Sequence, residues 1–432
     1  MTTPAPRLGP DERRLLLACA RIALTEEEAF DVAALLRRSL DWGAVLFFAR
    51  LHSVASLVHR HLRDRDDVPR EVRRELLKHY QRAGYQNRLF AREHARLVDR
   101  FDAAGIRILV PKGLSVTELA YGGLANRPLI DLIYLVPASD MSRAADLLCD
   151  DGYRAGRIGP GKAVYQWSCP QLMFRKRAEN LITRVLLQST LVTWPRLHRF
   201  DSDRIWTDAR HATVGQRDVL ILSPVDQLIY LCLQADNHGF LNRAAIGAVD
   251  PLDLFFAVWS NNRLVRFVDI HESIRFDGAA IDWRAVVDRA REVMVADAVH
   301  ASLLLTTQIA GRTVPPEVIE SLRPGGRPRV RSWLLDGLSS DRFPGAVQRV
   351  VRSRWEAVGP KGQLHLARLI GLAELAWPNP RTLATARNSQ ANGSLILHYA
   401  QHTGGVIFRS ASELLRASME RARSRLAATA KQ

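Results

Sequence analysis

The segment from Gly105 to Val136 constrains this chain most, because there the apolar pattern changes from helical spacing to alternation. Ile106-Arg107-Ile108-Leu109-Val110, bounded by Gly105 and Pro111, predicts a short strand. Lys112-Gly113 leads into an expected helix over 114–121, and 129–136 reads as a second strand. Ser139 is placed to cap a following helix that runs to Cys149. Residues 163–167, 172–175 and 181–187 read as further strands. Strand, helix, strand, helix and then an antiparallel run predict a small mixed sheet, so the fold class is α+β.

Helices are expected on both sides of that core. Apolar residues recur at helical spacing through 12–101, and again after Ser223-Pro224 in 226–234, 251–260, 283–295, 301–310 and 316–322. The expected organisation is a helical region over 1–101, an α/β core over 102–222 and a helical domain over 223–376. An irregular segment and a basic amphipathic helix at 412–426 follow within 377–432. That helix has no tryptophan anchor, so docking on the helical domain is preferred to peripheral contact with an anionic membrane surface. No apolar run approaches the length of a membrane span and no signal-peptide core is visible, so cytoplasmic residence is expected.

Net charge is +16 across 432 residues, which brings an anionic partner into view. The excess is almost entirely arginine and is spread along the chain rather than gathered in a stripe, so nucleic acid is not the expected partner. Cys19, Cys149, Cys169 and Cys232 form no Cys-x-x-Cys pair and read as free thiols. His52, His59 and His61 approach metal-ligand spacing without an acidic or cysteine partner and read as a solvated helix face. No serine sits in a Gly-x-Ser-x-Gly setting.

The chemistry-bearing residues lie in the opening segment. A strand that passes through a glycine into a helix presents backbone N–H groups to an anion. Lys112-Gly113-Leu114-Ser115 has that order, with Gly113 allowing close approach and Lys112 adding a point charge. Strand side chains alternate, so a carboxylate at Asp131 shares its face with position 133, which is isoleucine. Arg127 reads equally as a phosphate ligand or as a partner for Asp131. Glu118 is expected to face solvent or Arg107, and Tyr121 to pack.

With these residues in place, the chain resembles a nucleotidyltransferase family found near bacterial biosynthetic clusters. The pattern is carried by Val110-Pro111-Lys112-Gly113, Ala120-Tyr121-Gly122, Arg127-Pro128 and 131–136, with Asp151-Gly152-Tyr153, Leu222-Ser223-Pro224 and Ile281-Asp282-Trp283 as later landmarks. The resemblance implies a minimal nucleotidyltransferase core and a nucleoside triphosphate as substrate or ligand. It further implies Mg²⁺ on Asp131, nucleotide or phosphate contacts from Lys112, Gly113, Ser115 and Arg127, and a small molecule, peptide or biosynthetic-cluster protein as partner. The family pattern has a second aspartate where Ile133 stands, and a third carboxylate on a later strand whose counterpart is Leu186. One carboxylate cannot organise two Mg²⁺ ions, each of which wants six oxygens. The expectation is therefore a family member that retains nucleotide binding with metal-dependent transfer weakened or lost. An active Mg²⁺-dependent enzyme and a non-catalytic adaptor in a biosynthetic assembly are the alternatives.

Overall fold

Side-chain caps set several helix starts in this chain. Thr25 and Glu28 form a reciprocal capping box at α2 (Glu26–Leu36), Asp41 caps α3 (Trp42–Leu51), and Asp282 caps a later helix by accepting from the Ala285 N–H. The computed structural model describes residues 8–155, 171–178, 181–191, 202–236, 263–293, 295–311 and 313–323. Ahead of α2 lies α1 (Pro10–Cys19); α4 (Ala55–Leu62) and the long α5 (Arg70–Ala103) complete the helices that precede the sheet. On α5 the buried side chains Ala83, Asn87, Phe90, His94, Leu97 and Phe101 recur at three- and four-residue steps, so one stripe faces inward.

Then come α6 (Leu114–Leu119), β1 (Leu132–Leu135), α7 (Met141–Asp150), β2 (Arg154–Ala155), β3 (Gln171–Ala178) and β4 (Leu181–Gln188). The four strands form one mixed sheet in the order β1-β4-β3-β2. Strands β1 and β4 are parallel, with Ile133 opposite Leu186 and Leu135 opposite Gln188. After α8 (Ser202–Thr207), β5 (Arg210–Val214) and β6 (Arg217–Ile221) make a hairpin. Its turn residues Gly215 and Gln216 both have positive φ, 55° and 63°, as a tight two-residue hairpin turn requires. The chain continues as α9 (Pro224–Asp236), α10 (Val265–Asp277), α11 (Trp283–Glu292), α12 (Ala296–Ala310) and α13 (Pro316–Leu322).

Helices from both ends of the described chain share one core. Leu15, Leu35, Val45 and Leu57 belong to the same buried cluster as Leu228, Phe267, Val286 and Leu303. A smaller cluster joins Leu109, Leu135, Leu222 and Tyr230 on the sheet side. Among the described residues no helix is long and apolar enough to cross a membrane.

Several expectations need correction. The strand expected over 106–110 is reduced to isolated bridges at Leu109. That residue exchanges hydrogen bonds with Leu135 at 2.9 and 2.8 Å and lies beside Leu220. It closes the exposed edge of β1, so one residue does the work of a strand. Ser139 sits in a 3₁₀ turn and makes no capping bond to α7. His52 and His59 are buried rather than solvated, and burial pushes the His52 imidazole down to about 4. Glu118 turns inward and accepts from the Gly215 N–H at 2.7 Å. Helix α10 went unread. The expected elements at 163–167, 251–260, 377–394 and 412–426 lie outside the described residues.

Candidate functional site

The loop that carries Arg127 and leads to Asp131 is held by α5. Asn87 donates from its amide to the carbonyls of Leu124 and Arg127, both at 2.6 Å, and its Oδ1 accepts from the Leu129 N–H at 3.1 Å. One turn earlier Gly84 lets the loop approach: a Cβ there would lie 3.0 Å from the Ala125 Cβ. A buried asparagine that fills three backbone positions fixes a loop without adding charge.

Gly113 sits at φ 79°, in the left-handed region, and turns the chain from Val110 into α6. The turn places Lys112 and Gly113 beside Asp131 and Ile133 in a cleft of about 230 Å³. Gln234 on α9 and Arg263, Arg266 and Asp269 at or on α10 form the opposite side. Lys112 donates to the Gln234 Oε1 at 2.9 Å and stands 5.8 Å above the Tyr230 ring. Burial, with Arg127 and Arg266 nearby, pushes its ammonium down to about 8, although Asp131 and Asp269 pull the other way. Arg266 donates to the Gln234 carbonyl at 3.2 Å, and burial with Arg263 nearby lowers its guanidinium to about 10. Both groups are cations at neutral pH, and a bound anion would relieve their desolvation.

Arg127 does not pair with Asp131. Its Nε and Nη2 grip Asp269 at 2.6 and 2.7 Å, and the Tyr121 hydroxyl donates to the same carboxylate at 2.7 Å. Burial alone would lower the Arg127 guanidinium, but Asp269 overrides it and the net shift is upward. Burial and Asp269 both raise the Tyr121 phenol. The three side chains are therefore a charge-matched buried clamp between the loop and α10. The Ser115 hydroxyl is also turned inward and donates to the Val110 carbonyl at 3.2 Å.

The donors in the cleft do not fit a pair of Mg²⁺ ions. Asp131 leads into β1, and Ile133, its period-two neighbour, also lines the cleft. The β4 residue opposite Ile133 is Leu186, and beyond it the Gln188 amide donates to the Tyr230 hydroxyl at 3.2 Å. Asp269 is engaged by Arg127 and Tyr121. No group of three or more His, Cys, Asp or Glu side chains among the described residues could hold a metal ion. One carboxylate remains where two-metal chemistry needs at least two.

Of the residues singled out in the sequence, Lys112, Gly113 and Asp131 meet in the cleft, Arg127 lines it from within the clamp, and Ser115 lies behind it. Arg266, Asp269, Gln234 and Asn87 were missed. The available signal was the run of buried-type apolar residues through 264–274 broken by Asp269, His271 and Glu272, since acids on an apolar helix need partners.

A family model described as an uncharacterised nucleotidyltransferase matches residues 38–311. No curated protein and no solved structure matches the chain.

Proposed function

The chain belongs to this family of uncharacterised nucleotidyltransferases, and from that premise we propose that its cleft binds the phosphates of a nucleotide while metal-dependent nucleotidyl transfer is weakened or lost. The carrying observation is the composition of the two cleft walls. Lys112 and Arg266 supply positive charge, while the position a second metal carboxylate would take is Ile133. Lys112 contributes a point charge suited to phosphate oxygens, and Arg266 a planar fork suited to two of them. Gly113 permits close backbone approach, and Arg127 acts by holding the loop in register with α10 rather than by touching the ligand.

The retained and lost parts separate on magnitude. Charge-assisted contacts of this kind are worth about 1.5–3 kcal/mol each when desolvated, enough for a micromolar complex from a few of them. Phosphoryl and nucleotidyl transfer rest mainly on electrostatic stabilisation of the transition state, and bound metals supply several kcal/mol of it. At about 1.4 kcal/mol per factor of ten, absence of that stabilisation lowers the rate by orders of magnitude.

Isothermal titration of ATP, GTP, CTP and UTP into wild type, Lys112→Ala and Arg266→Gln tests this reading. At least one nucleotide is expected to bind wild type, with affinity reduced about tenfold or more in either variant. Folded wild-type protein that binds none of the four would overturn the nucleotide reading and favour a non-catalytic adaptor role.

A further inference from the structure

A second hollow, of about 570 Å³, lies between α3, the turn into α4 and the first half of α5. It shares Ser53, Pro128 and Arg263 with the cleft, so the two spaces adjoin. One wall is a single face of α5 bearing His79, Arg82 and Gln86; the other presents Phe47, Arg50 and Leu51 from α3. Among the described residues no acidic side chain lines it. Burial and the nearby Arg50 lower the His79 imidazole below its ordinary range, which keeps it a neutral polar group there. The volume is that of an ordinary small-molecule site, and the lining combines apolar surface with a few convergent polar groups.

The junction is built with some strain. Helix α3 ends in a Schellman motif, in which Ser53 N–H bonds the Arg50 carbonyl at 3.1 Å and Val54 N–H bonds the Ala49 carbonyl at 2.9 Å. The left-handed position of that motif usually holds glycine, yet here Ser53 occupies it at φ 61°. What serine adds is its hydroxyl, which accepts from Arg263 at 3.0 Å. The strained residue thus tethers the arginine that stands where hollow and cleft meet.

We propose that this hollow binds a second ligand beside the nucleotide: a small organic anion whose carboxylate, sulfonate or phosphate meets Arg50, Arg82 and Arg263, and whose apolar body lies on Phe47 and Leu51. Its place beside a nucleotide rests on the reading of the cleft given above. The ligand class itself rests on the hollow's arginines and aromatic wall. A planar guanidinium recognises such oxyanions in two-pronged fashion, and three of them around a hollow with no acid among its described lining residues select against cations.

Anilinonaphthalene sulfonate, an aromatic sulfonate that fluoresces on apolar binding, is a direct probe of the full chain. Its titration is expected to saturate at one site. Affinity should fall about tenfold in the double variant Arg50→Gln/Arg82→Gln, both of them exposed residues, with the fold of the variant checked by circular dichroism. Ser53→Gly, which removes the strain and the tether together, should fold at least as well and bind the probe several-fold more weakly. Lys112→Ala and saturating ATP should leave the probe's affinity within threefold. The proposal is overturned if the double variant binds like wild type, if uncharged phenylnaphthylamine binds as well as the sulfonate, or if ATP displaces the probe competitively. If none of ATP, GTP, CTP and UTP binds while the arginine dependence persists, the cleft reading falls and the hollow's ligand class stands.

Discussion

The two walls of the cleft use their carboxylates in opposite ways. On the α10 wall Asp269 takes two bonds from Arg127 and one from Tyr121, and serves as their buried counter-ion. On the β1 wall Asp131 has Ile133 beside it and Leu186 across the sheet from that isoleucine, so among the described residues no second acid stands beside it on the sheet. An acid near a cleft is therefore poor evidence of chemistry by itself. Its neighbours decide whether it is a structural counter-ion, a metal ligand or neither.

The largest effect expected from this contrast is on stability. Arg127→Ala leaves the Asp269 charge buried without its partner and should cost about 3–5 kcal/mol in chemical denaturation. A cost below about 1 kcal/mol would mean that the clamp is not the buried structural unit described. Asn87→Ala removes three backbone-satisfying bonds and should cost about 2–3 kcal/mol, again without touching the cleft floor.

Binding effects come next. The Lys112 ammonium is lowered to about 8 from 10.5, so nucleotide affinity should be full below that value and fall as pH rises through it. The expected loss by pH 9.5 is about tenfold, and Lys112→Ala should flatten the profile. For stability the sign is the reverse. Between about 8 and 10.5 the unfolded chain binds more protons at this lysine than the folded one, so this group's contribution to stability increases with pH across that window. The smallest effect separates Asp131 from a metal ligand. Asp131→Asn should leave nucleotide affinity unchanged or tighten it by a few-fold, because it removes a negative charge from a phosphate site. A loss of tenfold or more would place that carboxylate back in metal binding.

Much of the fold was legible because local patterns agree with it. The strands at 171–178 and 181–188, the glycine turn at Gly113 and the helices of both flanks follow from alternation and spacing. What escaped depends on long-range partners. The choice of Arg127 for Asp269 over Asp131 spans 142 residues and leaves no local trace. Helix α10 is buried on most sides, so it lacks the amphipathic stripe that marks a helix in sequence. The β5–β6 hairpin turns on Gly-Gln rather than on the more usual Asn-Gly pair. That Asp131 has isoleucine as its period-two neighbour, by contrast, was visible at once, since alternation fixes which positions share a strand face. The parallel pairing of β1 with β4 adds that Leu186 lies opposite that isoleucine.

The central claim is that nucleotide binding here has parted from two-metal chemistry. The most direct measurement is the affinity of wild type for its preferred nucleotide in saturating Mg²⁺ and in excess EDTA. Removing the metal is expected to leave the dissociation constant within about threefold or to tighten it, since in the proposed complex the Lys112 and Arg266 cations would face the phosphates directly. Binding that is lost or weakened tenfold or more in EDTA would contradict the claim.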